Sequence, residues 1–389
     1  MTRTPQQHGQ TPEPEPGTAP GPGATPDAGV LNVAALRRRV LSLPTLIAAV
    51  LGAALLGFAL WRIFDFAWAD VWVNIKGIHV GKYLLAMVLY YLSFWFRGLR
   101  WRLLARTANI GGSSGKNVPG TITLSGIILM GWFANSVAFM RLGDAYRGWV
   151  LSRESGGDFP SSLGTVLAER VQDMAAVLIL VLIAAVWITV EGDSKVPGWV
   201  VFAAFVLVAI LILGLLVMRL AGERLSRLLR RLATLVMRLT GGRISRRFPD
   251  RIESAYVDFQ RGTLDSFSGR AIPPQLALGV VGWLLEIARF YFVADAMDIE
   301  ISFGIVMFAA LANAMLTTIP TPGGFGFVEG GLTGLLILFG QSDSNSISLV
   351  AVDRTISWLS VVLFGGILFA VWHAVKAKNS GTISPATSD

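Results

Sequence analysis

The chain has 389 residues, of which 53% are hydrophobic and 15% charged, and it carries a net charge of +8. It contains no cysteine, which excludes disulfides, thiol catalysis and cysteine-ligated metal or haem. A soluble domain would not carry so large an apolar excess, so we expect an all-α polytopic membrane protein without a metal, a cofactor or a nucleic-acid partner.

The N-terminal residues are rich in Pro, Gly, Thr and Gln and show no apolar periodicity. Because such a composition cannot bury enough apolar surface to offset chain entropy, residues 1–36 are predicted to be a disordered tail. Three arginines at 37–39 precede the first apolar run, which places the N-terminus in the cytoplasm. We assign 37–376 to a transmembrane domain and 377–389 to a short C-terminal tail.

Apolar runs of membrane-spanning length recur along the chain. They cover approximately residues 43–64, 83–104, 161–190, 196–218, 273–296 and 346–374. Each exceeds the ~18 residues that a helix needs to cross the hydrocarbon core. Two further apolar stretches, 118–140 and 301–340, are interrupted by Gly, Pro, Asn and charged residues. The pattern predicts about eight transmembrane helices together with re-entrant or broken helices.

Loop charge sets the predicted topology. Residues 97–116 carry five basic residues and no acid and are placed inside, whereas 295–300 carry three acids and no base and are placed outside. Residues 219–270 hold twelve arginines against five acids, a net charge of +7. We interpret this segment as a basic amphipathic helix on the anionic cytoplasmic leaflet. A solvated helix that pairs with neighbouring loops is the alternative.

The two interrupted stretches are predicted to enter and leave the bilayer on the same side. Because both flanks of 118–140 are assigned to the cytoplasm, a straight helix there would break the topology. We therefore predict a re-entrant hairpin that bends at residues 131–136. The stretch 301–340 begins and ends outside, so either two short spans or an outer-side hairpin fits.

An acid–arginine pair follows each interrupted stretch. Arg170, next to Glu169, follows Gly143 by 27 residues, and Arg354, next to Asp353, follows Gly326 by 28. An inverted-topology repeat would place such pairs at matching depths from opposite ends, with a site at the repeat interface. Chance similarity between short apolar strings is the alternative explanation.

Ionisable side chains inside apolar spans are costly unless paired or hydrated, which makes them candidates for function. We assign phosphate contact to Arg141, Arg147, Arg170, Arg289 and Arg354, and counter-charge or proton coupling to Asp144, Glu169, Asp173, Glu286, Glu329 and Asp353; Arg97, Asn135 and Asn313 complete the polar candidates. The alternative is a set of ion pairs that only holds the bundle together. Arg100 and Arg102 are expected to snorkel to the headgroups.

A run of prolines and glycines interrupts the stretch 301–340. It contains Pro320, Pro322, Gly323, Gly324 and Gly326, which deny a regular helix over several residues. Irregular backbone at membrane depth is buried in protein or lines a watery cavity. Free amides at the start of the following half-helix would suit an anion such as a lipid phosphate, whereas a helix break without a ligand is the alternative.

The motifs together resemble a known family. They are the arginine-rich end of the second span (FRGLRWRLL, 96–104), Asn135, Arg141-x-Gly-Asp144-x-x-Arg147, Glu169-Arg170-x-x-Asp173 and Pro320-x-Pro-Gly-Gly-x-Gly-x-x-Glu329. Over roughly residues 43–375 the chain resembles the flippase-like family typified by the transmembrane region of lysylphosphatidylglycerol synthases. That resemblance implies an integral membrane protein with a lipid-translocating role. The soluble aminoacyl-transferring domain of the synthases is not found in these 389 residues, so lysyl transfer is not expected.

The leading hypothesis is that the protein binds and translocates an anionic phospholipid, an aminoacyl-phospholipid or a polyprenyl-phosphate-type lipid without covalent catalysis. A membrane-embedded lipid-linked transferase is the alternative, since the carboxylates could supply a general base, although no donor-binding motif is present. A third possibility is a non-transporting membrane subunit of a lipid-modifying enzyme. We expect a multi-pass protein of a bacterial plasma membrane, acting as a homo-oligomer or with a partner membrane enzyme.

Overall fold

The computed structural model describes residues 68–112, 117–191, 198–240, 245–267, 269–319 and 321–381. The predicted tail and the first predicted span, 43–64, lie outside the described residues. Every regular element in the described ranges is a helix, and none is a strand. The prediction of an all-α polytopic membrane protein is confirmed.

The helices are numbered α1 to α11. In chain order they are α1 (Trp68–Lys76), α2 (Val80–Thr107), α3 (Thr121–Val137), α4 (Leu142–Ser155), α5 (Phe159–Glu191), α6 (Gly198–Leu239), α7 (Phe248–Asp265), α8 (Ile272–Ala296), α9 (Phe303–Leu316), α10 (Phe327–Leu338) and α11, which comprises Asp343–Arg354, a π-helical stretch Thr355–Gly365, and Gly366–Gly381. Within these ranges, Phe159–Ile188, Ile272–Ala296 and Asp343–Lys376 are long and apolar enough to cross a membrane.

Helices α2 and α8 pack side by side in opposite directions. At one end of the pair, the His79 amide before α2 donates to the Ala296 carbonyl at the end of α8, at 2.8 Å. At the other end, Gln275 near the start of α8 donates to Thr107 at the end of α2, at 3.5 Å. The segments that follow α2 and α8 in the chain therefore start from opposite ends of the bundle.

Helices α3 and α4 form a hairpin, which we call hairpin A. Its arms have 17 and 14 residues, about 25 and 21 Å at ~1.5 Å per residue, which is less than the ~30 Å hydrocarbon core. The predicted hairpin is present, but the predicted bend at 131–136 is wrong, since the turn lies at 138–141. Met140 and Arg141 make this turn with φ of 62° and 53°.

The bend lies elsewhere because Gly131 serves close packing and not chain reversal. It stays helical, and the opposite arm comes so close that an added Cβ would lie 3.0 Å from the Gly143 carbonyl oxygen. A glycine within an apolar helix thus permits close contact between the two arms. The chain reverses only where the helix ends.

Helices α9 and α10 form a second hairpin, hairpin B, which resolves the two alternatives for 301–340. Its arms have 14 and 12 residues, about 21 and 18 Å long, so neither spans the core alone. Residues 321–326 of the proline- and glycine-rich run lie in the turn, in which Gly323, Gly324 and Gly326 have φ of 58°, 73° and 85°. These left-handed conformations favour glycine, which explains the composition of the turn.

Residues 219–239 of the basic segment continue the same 42-residue helix, α6, that begins at Gly198. Helix α7 runs back along this part of α6: Gln260 donates to the Met218 carbonyl at 2.8 Å. Arg230 lies 2.9 Å from Asp250 and 3.3 Å from Glu253. This pairing joins two helices of the basic segment itself, so both leaflet contact and pairing with neighbouring loops stay predictions.

Candidate functional site: two hairpin tips that meet between opposite ends of the bundle

The two hairpin turns contact each other. Arg141 in the turn of hairpin A donates to the carbonyl of Thr317, the residue that follows α9 in hairpin B, at 3.4 Å. A Cβ added to Gly323 would lie 3.5 Å from the Cα of Ser136. Because the hairpins start from opposite ends of the bundle, their turns meet in its interior.

Each hairpin carries an acid that pairs with an arginine of the next long helix. Asp144 is the third residue of α4, and its Oδ1 accepts from Arg170 Nη2 of α5 at 2.7 Å. Glu329 is the third residue of α10, and its Oε1 lies 2.7 Å from Arg354 Nε of α11. The two pairs occupy matching positions: each joins the second arm of a hairpin to the long helix that follows it. The two hairpins enter the bundle from opposite ends.

A second set of pairs matches in the same way. Arg100 of α2 contacts Glu169 of α5 at 3.0 Å. Arg289 of α8 forms an ion pair with Asp353 of α11. In each half of the molecule, the helix before the hairpin supplies the arginine and the helix after it supplies the acid. These correspondences support the predicted inverted repeat, which relates α2–α5 to α8–α11.

The second set belongs to a larger group of side chains, the buried charge network. Its members are Arg97, Arg100, Arg147, Glu169, Asp173, Glu286, Arg289 and Asp353. Each has a side chain that is 9% exposed or less. The four arginines balance the four acids, so the network needs no further ion to be neutral.

Ion pairs within this network link different helices. Arg100 bridges α2 to Asp173 at 2.7 Å, Arg147 of α4 pairs with Glu169, and Arg97 of α2 lies 3.2 Å from Glu286 of α8. Arg289 also lies 3.1 Å from Glu286. The expectation that Arg100 snorkels to the headgroups is wrong, because two buried carboxylates lie within reach and hold it inside.

Aromatic rings cover the buried arginines. The Arg97 guanidinium lies 5.0 Å from the ring of Trp132 and 5.0 Å from that of Trp283. Arg147 lies 4.5 Å from the Trp101 ring. Such cation–π contacts compensate part of the desolvation of the cation. These tryptophans were not among the predicted site residues, although Trp101 and Trp283 stand three or four residues from charged candidates, on the same helical face.

The remaining five ionisable candidates form the tip cluster: Arg141, Asp144, Arg170, Glu329 and Arg354. Their side chains are between 11% and 29% exposed. Three arginines stand against two acids, which leaves one positive charge in excess. A partly exposed cluster of this composition can accept an anion, because arginine presents several donors in one plane to phosphate or carboxylate oxygens.

The return arms α4 and α10 begin beside this cluster, but side chains of the protein already engage amides at both starts. The Gly143 amide donates to Asn135 Oδ1 at 2.8 Å, and the Gly326 amide donates to Glu329 Oε2 at 2.6 Å. The phosphate that we predicted at the half-helix start would share these amides with Asn135 and Glu329. The arginines are therefore the main groups in the cluster for an anion.

Most of the other predicted residues lie close to the tips. Pro322, Gly323, Gly324 and Gly326 form the turn of hairpin B, and the Gly323 carbonyl accepts from Arg354 at 2.9 Å. Asn313 on α9 is buried, and its Oδ1 has no partner in the described part of the chain. It does not repeat the contact that Asn135 makes in hairpin A. The structure thus separates the candidates into a tip cluster and a buried network, a division that residue type and spacing did not predict.

The chain is similar to one protein-family model and to several membrane proteins. A family model described as the lysylphosphatidylglycerol synthase TM region matches residues 45–365. A UPF0104 membrane protein of Methanocaldococcus jannaschii is 28% identical over 248 residues, which cover 61% of this chain and 94% of that protein. One of Pyrococcus horikoshii is 24% identical over 331 residues, 82% of this chain and 94% of that protein. Another, of Methanothermobacter thermautotrophicus, is 24% identical over 292 residues, 72% of this chain and 82% of that protein.

Proposed function

We propose that this multi-pass membrane protein binds a lipid with an anionic headgroup and moves it between the leaflets. The premise is its family: the chain belongs to the family of the lysylphosphatidylglycerol synthase transmembrane region. The lipid is an anionic phospholipid, an aminoacyl-phospholipid or a polyprenyl-phosphate-type lipid. The observation that carries the proposal is the meeting of two oppositely inserted hairpins at a partly exposed cluster with one excess positive charge.

The surroundings of the tip cluster suit a lipid better than a small soluble anion. Met140, beside Arg141, is 79% exposed, and Leu142 on its other side is also exposed. An apolar surface directly beside cationic side chains can accommodate acyl or prenyl chains while the arginines contact the phosphate. The lipid would keep its chains in hydrocarbon and place only its headgroup in the protein.

The inverted arrangement fits translocation. In transporters with inverted repeats, the site lies near the midplane, and movement of one repeat against the other exposes it to each side in turn. Here Asp144 and Arg170 belong to one repeat, and Glu329 and Arg354 to the other. A headgroup between the tips would meet equivalent ion pairs from either leaflet. No covalent step is required.

Transport from one leaflet to the other is the direct test. The purified protein is reconstituted in liposomes with headgroup-labelled phosphatidylglycerol, and the label that becomes accessible to an impermeant quencher is followed over time. Arg170→Gln and Arg354→Gln each remove a charged donor, and we expect each to slow transport about tenfold or more, the ratio that one hydrogen bond to a charged group is worth.

Arg238→Gln is the matched control, because Arg238 is an exposed arginine near the end of α6, in the basic segment and outside the tip cluster. It should transport at the wild-type rate. Acceleration that is equal in all three variants and the wild type would contradict the proposed role of the cluster. No acceleration of phosphatidylglycerol, its lysyl ester or a polyprenyl phosphate by the wild-type protein would refute the proposed function.

A further inference from the structure

The two repeats differ at one position of the tip cluster. Arg141 is the residue directly before α4, and Gly326 is the residue directly before α10. The ion pairs of Asp144 and Glu329 have counterparts in both repeats, but Arg141 has none. Arg141 is therefore the source of the excess positive charge in the cluster.

The backbone at Arg141 is unfavourable for a residue with a side chain. Its φ of 53° lies in the left-handed region, and Met140 before it has a φ of 62°. Glycine adopts a positive φ readily, and Gly326 at the matching position also has a positive φ, of 85°. A cationic side chain held at a position that favours glycine indicates that the side chain serves a purpose other than stability.

The contacts of Arg141 are weak and shared. Its Nε lies 3.6 Å from Asp144 Oδ2, and Asp144 also contacts Arg170 at 2.7 Å and Arg147 at 4.0 Å. Its other polar contact within the described residues is the long hydrogen bond of 3.4 Å to the Thr317 carbonyl in hairpin B. A neutral carbonyl is a weaker acceptor than a phosphate oxygen, so an anion at the tips would compete successfully for this guanidinium.

We propose that Arg141 is the residue that gives the site its preference for anions and that links the two hairpins: a lipid phosphate takes its guanidinium away from the Thr317 carbonyl and thereby releases hairpin B from hairpin A. This inference rests on the proposed function, since it assumes that a lipid phosphate reaches the tips. It assigns the coupling between binding and hairpin movement to one side chain of one repeat.

The absence of cysteine makes a distance test direct. Met140→Cys and Thr318→Cys place two exposed thiols next to Arg141 and Thr317, the two residues that form the hydrogen bond. A short bis-maleimide is applied in nanodiscs of phosphatidylcholine or of phosphatidylglycerol, and cross-linking yield is read from proteolytic fragments. We expect the cross-linking rate to fall about fivefold in phosphatidylglycerol, the ratio that a typical hydrogen bond is worth, because the bond from Arg141 to Thr317 is long.

Arg141→Gly in this double-cysteine protein copies the glycine of the other repeat, so it removes the charge while it relieves the backbone. Its cross-linking rate should be the same in both lipids. Arg141→Lys keeps the charge and should keep a reduced difference, and Arg238→Gln should respond as the parent does. A full lipid response in Arg141→Gly, or none in the parent, would overturn the inference.

Transport by the uncross-linked double-cysteine parent, measured in liposomes, separates the two proposals. If the parent transports phosphatidylglycerol and its cross-linking rate does not depend on the lipid, the role of Arg141 is refuted and the function stands. If neither the parent nor the wild-type protein transports any of the three lipid classes, the proposed function itself is refuted.

Discussion

The buried charge network and the tip cluster are built from the same residue types but differ in exposure and in balance. The network has four arginines, four acids and side-chain exposures of 9% or less. The tip cluster has three arginines, two acids and exposures of 11% to 29%. A neutral, enclosed network holds helices in place, whereas an accessible cluster with excess charge can exchange partners. Depth in the membrane alone therefore does not identify a ligand site.

The largest effect is expected from breaking the network at Asp353. Asp353→Asn leaves the buried Arg289 with Glu286, 3.1 Å away, as the remaining acid among the residues that the structure describes. Loss of one partner of a buried pair typically costs about 3 to 5 kcal/mol, because the other charge stays desolvated. We expect low yield and a strongly lowered melting temperature in detergent, measured by intrinsic tryptophan fluorescence.

The double variant Arg289→Met with Asp353→Leu controls for this interpretation. It removes both charges and keeps similar volume, so it should recover part of the lost stability. Equal destabilisation in the single and double variants would show that packing, and not the unpaired charge, determines the loss.

The sequence predicted the hairpins and the charged residues, but not which of these residues form the tip cluster and which form the buried network. The charges of the two flanking loops were sufficient to predict hairpin A. The proline- and glycine-rich run predicted a break in the stretch 301–340, but it left two short spans and a hairpin as alternatives. Matching acid–arginine pairs indicated the inverted repeat. Each of these features is a local pattern or depends only on which side of the membrane a loop lies. They can therefore be recognised in one sequence.

What the sequence did not predict depends on contacts between distant helices. The position of Arg100 near the end of an apolar run predicts contact with the headgroups. Its partner Glu169 is 69 residues away and Asp173 is 73 away, so no local pattern reveals the pairs. For the same reason, the sequence does not show which charged residues are exposed at the hairpin tips and which are buried in the network. Gly131 does not mark the bend, because glycine occurs both at bends and at close contacts between helices.

An intermediate effect is expected at the tip cluster. Glu329→Gln should change stability by about 1 kcal/mol or less, because the pair is partly exposed and glutamine can still accept from the Gly326 amide. It frees Arg354 from its acid and raises the excess charge, so more anionic lipid should co-purify, as measured by native mass spectrometry. Glu169→Gln is the matched change in the network, and it should lower the melting temperature without raising lipid content. The reverse pattern would contradict the division into two regions.

The smallest effect is expected where exposed charges pair outside the bundle core. Arg230 of α6 contacts Asp250 and Glu253 of α7, and its side chain is 54% exposed. Exposed ion pairs are worth about 0 to 1 kcal/mol and are screened by salt, so Arg230→Gln should leave the melting temperature and the transport rate almost unchanged. Both are measured at low and at high salt. A large loss of transport with unchanged stability would show that this arginine acts on the lipid, and the tip cluster would then not be the only cationic region on the lipid's route.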